Sequence, residues 1–163
     1  MNKITPLLKG VITGIIMVLT TLLLIYTQSP SSPVQYIVYA IYAGGIAWTL
    51  LAYYRSPEYS PKFGDIFSRG FRCFIIVTLI MVTFVGIFGY MHPEYAKKEA
   101  AAYKAYLDED KKSNRTPIEK AEMVRKMEKN FIVSNMSGAM FGTMITGAIF
   151  TAVGAGLMLM RRK

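Results

Sequence analysis

The chain has one histidine, one cysteine, and four long stretches with no charge at all. A single cysteine, Cys73, excludes an intramolecular disulfide; at the start of the third apolar run it reads as packing, not as a reactive thiol. A single histidine, His92, with no second histidine or cysteine nearby, offers no metal-ligand spacing. No metal and no cofactor is expected. The chain also lacks H-E-x-x-H, G-x-S-x-G and P-loop patterns, so no catalytic residue emerges and an enzyme is not expected. Asp108, Asp110, Asn114, Thr116 and Glu119 imitate calcium-loop spacing, but Lys112 takes a liganding position and Ser113 stands where glycine is required. That segment reads as a solvated turn, and Asn114-Arg115-Thr116 is a glycosylation sequon by letter only.

What the chain has is apolar length. Residues 10–26, 34–54, 73–90 and 131–160 contain no Asp, Glu, Lys, Arg or His. Each is about long enough to cross a hydrocarbon core of ~30 Å as a helix. No alternating ten-residue segments occur, which excludes a membrane barrel. The expected fold is therefore an all-α polytopic membrane protein. It is a single domain with spans at about 10–26, 34–54, 73–90 and 136–160 and an extramembrane helical hairpin over 92–130. The first run ends Tyr26-Thr27-Gln28-Ser29-Pro30 with no small-residue cleavage site, so it reads as a retained helix and not a signal peptide.

The net charge of +9 does not imply nucleic acid, because the basic residues are not gathered on one soluble face. Lys3 and Lys9, then Arg55, Lys62, Arg69 and Arg72, then Arg161, Arg162 and Lys163 flank alternate connections, opposed only by Glu58 and Asp65. The positive-inside rule then places both termini in the cytoplasm of a bacterial inner membrane. Residues 92–130 carry ten Lys and Arg against eight acids and fall on the outer side. Arg55, Arg69 and Arg72 lie at headgroup depth, where membrane lipids are the partner and lipid phosphate is a possible contact. Tyr36 and Tyr39, and Trp48, Tyr53 and Tyr54, read as the two interfacial aromatic belts of the second span.

Local signals fill in the connections. Asp65 is placed to cap a helix with Phe67 and Phe71 on its apolar line, and to pair with Arg69 four residues on. Pro93 predicts a break at His92. Ala96, Ala100, Tyr103 and Leu107 share one helical face, and Glu94 can pair with Lys98. Thr116-Pro117-Ile118-Glu119 is a capping box that opens a second helix, with Ile118, Ala121, Val124, Met127 and Phe131 on one side. With no proline after 117, that helix runs on into the fourth span.

Small residues supply the packing faces. Gly10 and Gly14 form a GxxxG on the first helix. On the fourth, Ser134, Gly138 and Gly142 make one row. Ala139, Thr143, Gly147, Thr151 and Ala155 make a second, and Ala148, Ala152 and Gly156 a third. Close backbone approach drives association in lipid, so these rows serve packing within the bundle, a homo-oligomer or a membrane-protein partner. The spans hold no ionisable residue at membrane depth and no paired helix breaks, which counts against transport.

Phe63-Gly64-x-x-Phe67-x-x-Gly70-Phe71, Pro93-Glu94-Tyr95, the charged helical insert and a glycine-rich fourth span with a basic tail together resemble a Bacteroidota family of inner-membrane proteins of unknown function. The resemblance implies four helices with an outer insert, supplies no catalytic residues, and brings an association with polyprenyl-phosphate sugar transferases. The expected function is a non-catalytic subunit or scaffold of a membrane complex. An accessory partner of a polyprenyl-phosphate glycosyltransferase is the alternative, and a small-molecule transporter the second alternative.

Overall fold

The computed structural model describes residues 5–27, 33–109 and 116–160. Helix α1 (Pro6–Thr27) precedes a 3-10 turn (Pro33–Tyr36), which leads into α2 (Ile37–Tyr54). Then come α3 (Phe63–Met91), α4 (Pro93–Glu109) and α5 (Pro117–Met160). The described residues are all-helical, and α1, α2, α3 and α5 are each long and apolar enough to cross a membrane. This is a multi-pass membrane protein. Between 22% and 33% of each apolar window is buried within the chain. The remaining apolar surface is what lipid solvates. Lys3, residues 28–32, residues 110–115 with Asp110 and Asn114 of the calcium-like spacing and the first two residues of the sequon, and the basic tail 161–163 lie outside the described residues.

The chain divides into two compact units. The first comprises Met1–Met81 and Ala139–Lys163. Its helices meet where one lacks a side chain. A Cβ on Gly10 would lie 2.6 Å from the Cys73 carbonyl oxygen and 3.0 Å from Ile76 Cβ, and one on Gly14 would lie 2.8 Å from Ile80 Cδ1, so both glycines receive α3. Gly45 of α2 receives Thr13 of α1, Gly70 of α3 receives Thr151 of α5, and Gly147 of α5 receives Tyr42 and Phe74. With no hydrophobic drive between helices in lipid, such contacts supply the association by close approach.

Threonine fills this interior: two hydroxyls return to their own helix backbone, while those of Thr21, Thr78 and Thr151 are buried without a hydrogen-bond partner among the described residues. Thr49 Oγ1 donates to the Gly45 carbonyl at 3.0 Å and Thr143 Oγ1 to Ala139 at 2.6 Å, one turn back on the same helix. Tyr42, fully buried, donates its hydroxyl to the Thr143 carbonyl at 3.0 Å and so ties α2 to α5. Cys73 is also fully buried, with its Sγ 3.9 Å from the Gly45 carbonyl.

The start of α3 differs from the sequence expectation. Asp65 does not cap; the helix begins at Phe63, and Asp65 and Ile66 already donate their backbone N–H groups to the Lys62 carbonyl. The buried line is Ile66, Gly70, Cys73, Phe74 and Val77, while Phe63 and Phe71 are exposed. Phenylalanine facing lipid loses nothing, so Phe63 and Phe71 need no place on the packed side, where Phe74 lies against Gly147 instead. Arg69 pairs with Glu58, not with Asp65.

The second unit is Val82–Gly138. The break at Pro93 is confined to one residue. His92 still donates its N–H to Phe88, and Tyr95 donates to His92. The His92 ring lies 4.5 Å from the Phe88 ring, and its Nδ1 is 2.7 Å from Glu94 Oε1. Glu94 therefore turns to His92 and not to Lys98. Its own backbone N–H in the first turn of α4, and then the His92 contact, hold its carboxyl below the ordinary glutamate value.

Within the hairpin, α4 buries Ala100 and Leu107. The capping box forms as read: Thr116 N–H donates to Glu119 Oε2 at 2.7 Å, and Glu119 N–H donates to Thr116 Oγ1 at 3.3 Å. The face of α5 is displaced from the expected stripe at its start, where Ile118 is 74% exposed. Lys120 takes the inner position, donating to the Leu107 carbonyl and standing 3.8 Å from Asp108. Its ammonium closes the C-terminus of α4, which isoleucine cannot do.

Candidate functional site

Two surfaces stand out, one in each unit. In the first unit, the start of α1, the end of α2, the following connection and the start of α3 line an open cavity of about 500 Å³. Thr5, Pro6 and Lys9 come from the first element; Trp48, Thr49, Ala52 and Tyr53 from the second. Arg55, Ser56, Pro57 and Glu58 follow, and Arg69 closes the ring.

Lys9 is only 6% exposed and has no carboxylate partner among the described residues. Its Nζ lies 5.4 Å from the Trp48 ring centroid, within cation–π range. The Arg69 guanidinium lies 4.8 Å from the Tyr53 ring, and one of its nitrogens donates to Glu58 at 3.1 Å. Tyr53 is held in turn, because its hydroxyl accepts the Ser60 N–H at 3.1 Å. Three cations, of which Arg55 is exposed, and one carboxylate thus line an aromatic-walled space.

Of the arginines expected at lipid phosphate, Arg55 and Arg69 come together here and Arg72 does not; Arg72 is exposed and lies outside the lining. Sequence reasoning missed Lys9, read as a topology anchor, and Trp48 and Tyr53, read as a belt. One signal was present. Lys9 adjoins Gly10, so a tight helix seam at Gly10 draws its stem inward.

In the second unit, α4 and α5 leave an open groove of about 600 Å³. Tyr103, Met123, Met127 and Phe131 contribute apolar surface, and Glu99, Lys126, Asn130, Ser134 and Asn135 contribute polar surface. Methionine and aromatic side chains between two helices make a surface that adapts to an apolar partner.

The glycine rows separate by neighbour. Gly147 is filled by Tyr42 and Phe74, whereas Gly138, Gly142 and Gly156 have nothing within 4 Å of the position a Cβ would take. Of the remaining small residues, Ala148 and Ala152 are half-buried. Among the described residues, no three His, Cys, Asp or Glu side chains gather as a metal site would need.

These features, four apolar helices with a charged helical insert, accompany a family match over residues 9–160, to the family described as protein of unknown function DUF4199. The chain belongs to that family. No curated protein and no solved structure matches it.

Proposed function

We propose that this DUF4199 member is a non-catalytic subunit of a membrane complex that uses its hairpin groove to hold a partner. The occupant is an amphipathic helix of another membrane protein, outside the hydrocarbon core. The observation that carries this reading is the groove itself, with Tyr103, Met123, Met127 and Phe131 beside Glu99 and Lys126. Two parallel walls of helix suit the apolar stripe of a third, and flanking groups of both signs suit a mixed-charge partner.

The experiment is photo-crosslinking in native membranes from a benzophenone side chain at position 103, with Met127→Glu as the competing variant. A discrete membrane-protein adduct that Met127→Glu abolishes, with insertion unchanged, supports the reading. Adducts to this chain alone would make the groove a homo-oligomer contact, and no adduct at all would remove the groove from function.

We further propose that the hairpin faces the periplasm of a bacterial inner membrane, with both termini cytoplasmic. The support is charge placement, since Lys9, Arg55, Lys62, Arg69 and Arg72 flank the opposite ends of the spans. Cys73 is buried, so Lys104→Cys provides a clean label site on α4. Labelling from the outer face supports the orientation, and labelling only after cytoplasmic access reverses it.

A further inference from the structure

We propose that the cavity between Lys9, Arg55 and Arg69 is a phosphate-binding site at the end of the membrane spans. It stands independently of the hairpin groove, and its test uses neither α4 nor the first half of α5.

The location comes first. Pro6 begins α1, Tyr54 ends α2 and Phe63 begins α3, so the cavity collects the ends of three spans. Span ends lie at headgroup depth, where phosphate is the abundant anion.

The chemistry of the lining points the same way. Lys9 is almost wholly buried, and a buried cation without a counter-charge is costly unless something neutralises it. The Trp48 ring stabilises it in part, but a ring face is no substitute for an anion. Arg69 spends one nitrogen on Glu58, in a pair exposed enough to contribute little, and its remaining guanidinium donors have no other acceptor among the described residues and can meet an oxyanion. Arg55 adds a third cation, and Tyr53 fixes the Arg69 plane from beneath. A planar fork and a point charge converging from two helices is the donor set that phosphate oxygens accept. The cavity of about 500 Å³ is large enough for a phosphate with its ester substituent. Lipid headgroup and free phosphate share this chemistry.

Trp48 is the only tryptophan and lines the cavity, so its fluorescence reports occupancy directly. The full chain in neutral detergent is titrated with dihexanoyl phosphatidic acid, with dihexanoylglycerol and with inorganic phosphate. The expected result is a saturable change in Trp48 emission with phosphatidic acid and none with the diacylglycerol. Lys9→Gln and Arg69→Gln should each weaken it roughly tenfold or more, as lost charge-assisted hydrogen bonds do. Arg72→Gln, outside the cavity, should leave it unchanged. Glu58→Gln should tighten binding up to roughly fivefold by freeing Arg69, a change that a structural role for the pair would not produce. Tighter binding of phosphatidic acid than of inorganic phosphate assigns the site to a lipid, and equal affinity assigns it to free phosphate. No saturable response to either, or equal weakening by Arg72→Gln, overturns the proposal. Unfolding midpoints and gel-filtration profiles accompany each variant. If Lys9→Gln fails to fold, Glu58→Gln and Arg55→Gln carry the same test.

Discussion

Replacing Gly147 with alanine isolates what holds the membrane unit together. A Cβ there overlaps the Tyr42 hydroxyl and comes within 2.8 Å of Phe74 Cγ and 2.9 Å of Phe74 Cβ. Neither neighbour can retreat cheaply. Tyr42 is fully buried and hydrogen-bonded to the Thr143 carbonyl, and Phe74 is 2% exposed. Overpacking of this kind costs about 1–3 kcal/mol, and loss of the tyrosine hydrogen bond adds about 1 kcal/mol. Against that, alanine gains about 1 kcal/mol over glycine in helix propensity. The net expectation is destabilisation by about 1–3 kcal/mol.

Gly142 is the control on the same helix, with nothing within 4 Å of its Cβ position. Gly142→Ala keeps the propensity gain without the clash and should be neutral or stabilising by up to about 1 kcal/mol. The assay is reversible unfolding of the two variants in mixed micelles, followed by Trp48 emission. Equal stability of Gly147→Ala and Gly142→Ala would refute the argument that close approach at Gly147 is what packs α5 against α2 and α3.

Tyr42→Phe removes the hydroxyl but keeps the ring, so the same unfolding assay should show a loss near the average of about 0.6 kcal/mol for interhelical hydrogen bonds in membranes and no more than their maximum of about 1.7 kcal/mol. Thr116→Ala removes the cap of α5 and should cost about 1 kcal/mol locally; hydrogen exchange should quicken in the first turn of α5 and not at Leu107 or beyond Phe131. For Glu94 the folded carboxyl is held below its ordinary 4.5. Its stabilising contribution is therefore present above that value and lost as pH falls through the folded midpoint. Carbon-detected NMR should find Glu94 titrating below 4.5, and His92→Ala should raise the midpoint only partly, because the first-turn backbone bond remains. A midpoint unchanged by His92→Ala would remove the ring from that explanation.

The extent to which sequence foretold these arrangements depended on the range of the physics. Local rules were legible. The capping box at Thr116 and Glu119 depends on four consecutive residues, and it forms as written. The α4 face of Ala100 and Leu107 follows from helical period alone. Where two partners competed for one group, the local rule chose wrongly. Arg69 had Asp65 one turn away but pairs with Glu58, which the Pro57–Pro61 connection brings back across the start of α3. Ile118 had the right period for the inner face, yet Lys120 occupies it, because the end of α4 presents a carbonyl that only a donor can satisfy. The cavity was half legible: its arginines drew notice as headgroup-depth cations, while its lysine and aromatic walls were each assigned to a bland role.

The sequence by itself determined that this chain crosses a membrane and how many times. Those properties follow from the cost of placing charges and unpaired backbone in hydrocarbon, a cost each segment meets alone. Only the tertiary structure decided which glycines are filled and which stay open, and which cations share a cavity. Small residues permit close approach on every side of a helix, and a basic residue at a span end has no intrinsic partner. The choice between Gly147 and Gly142, or between Arg69 and Arg72, is made by what the other helices bring to the same place.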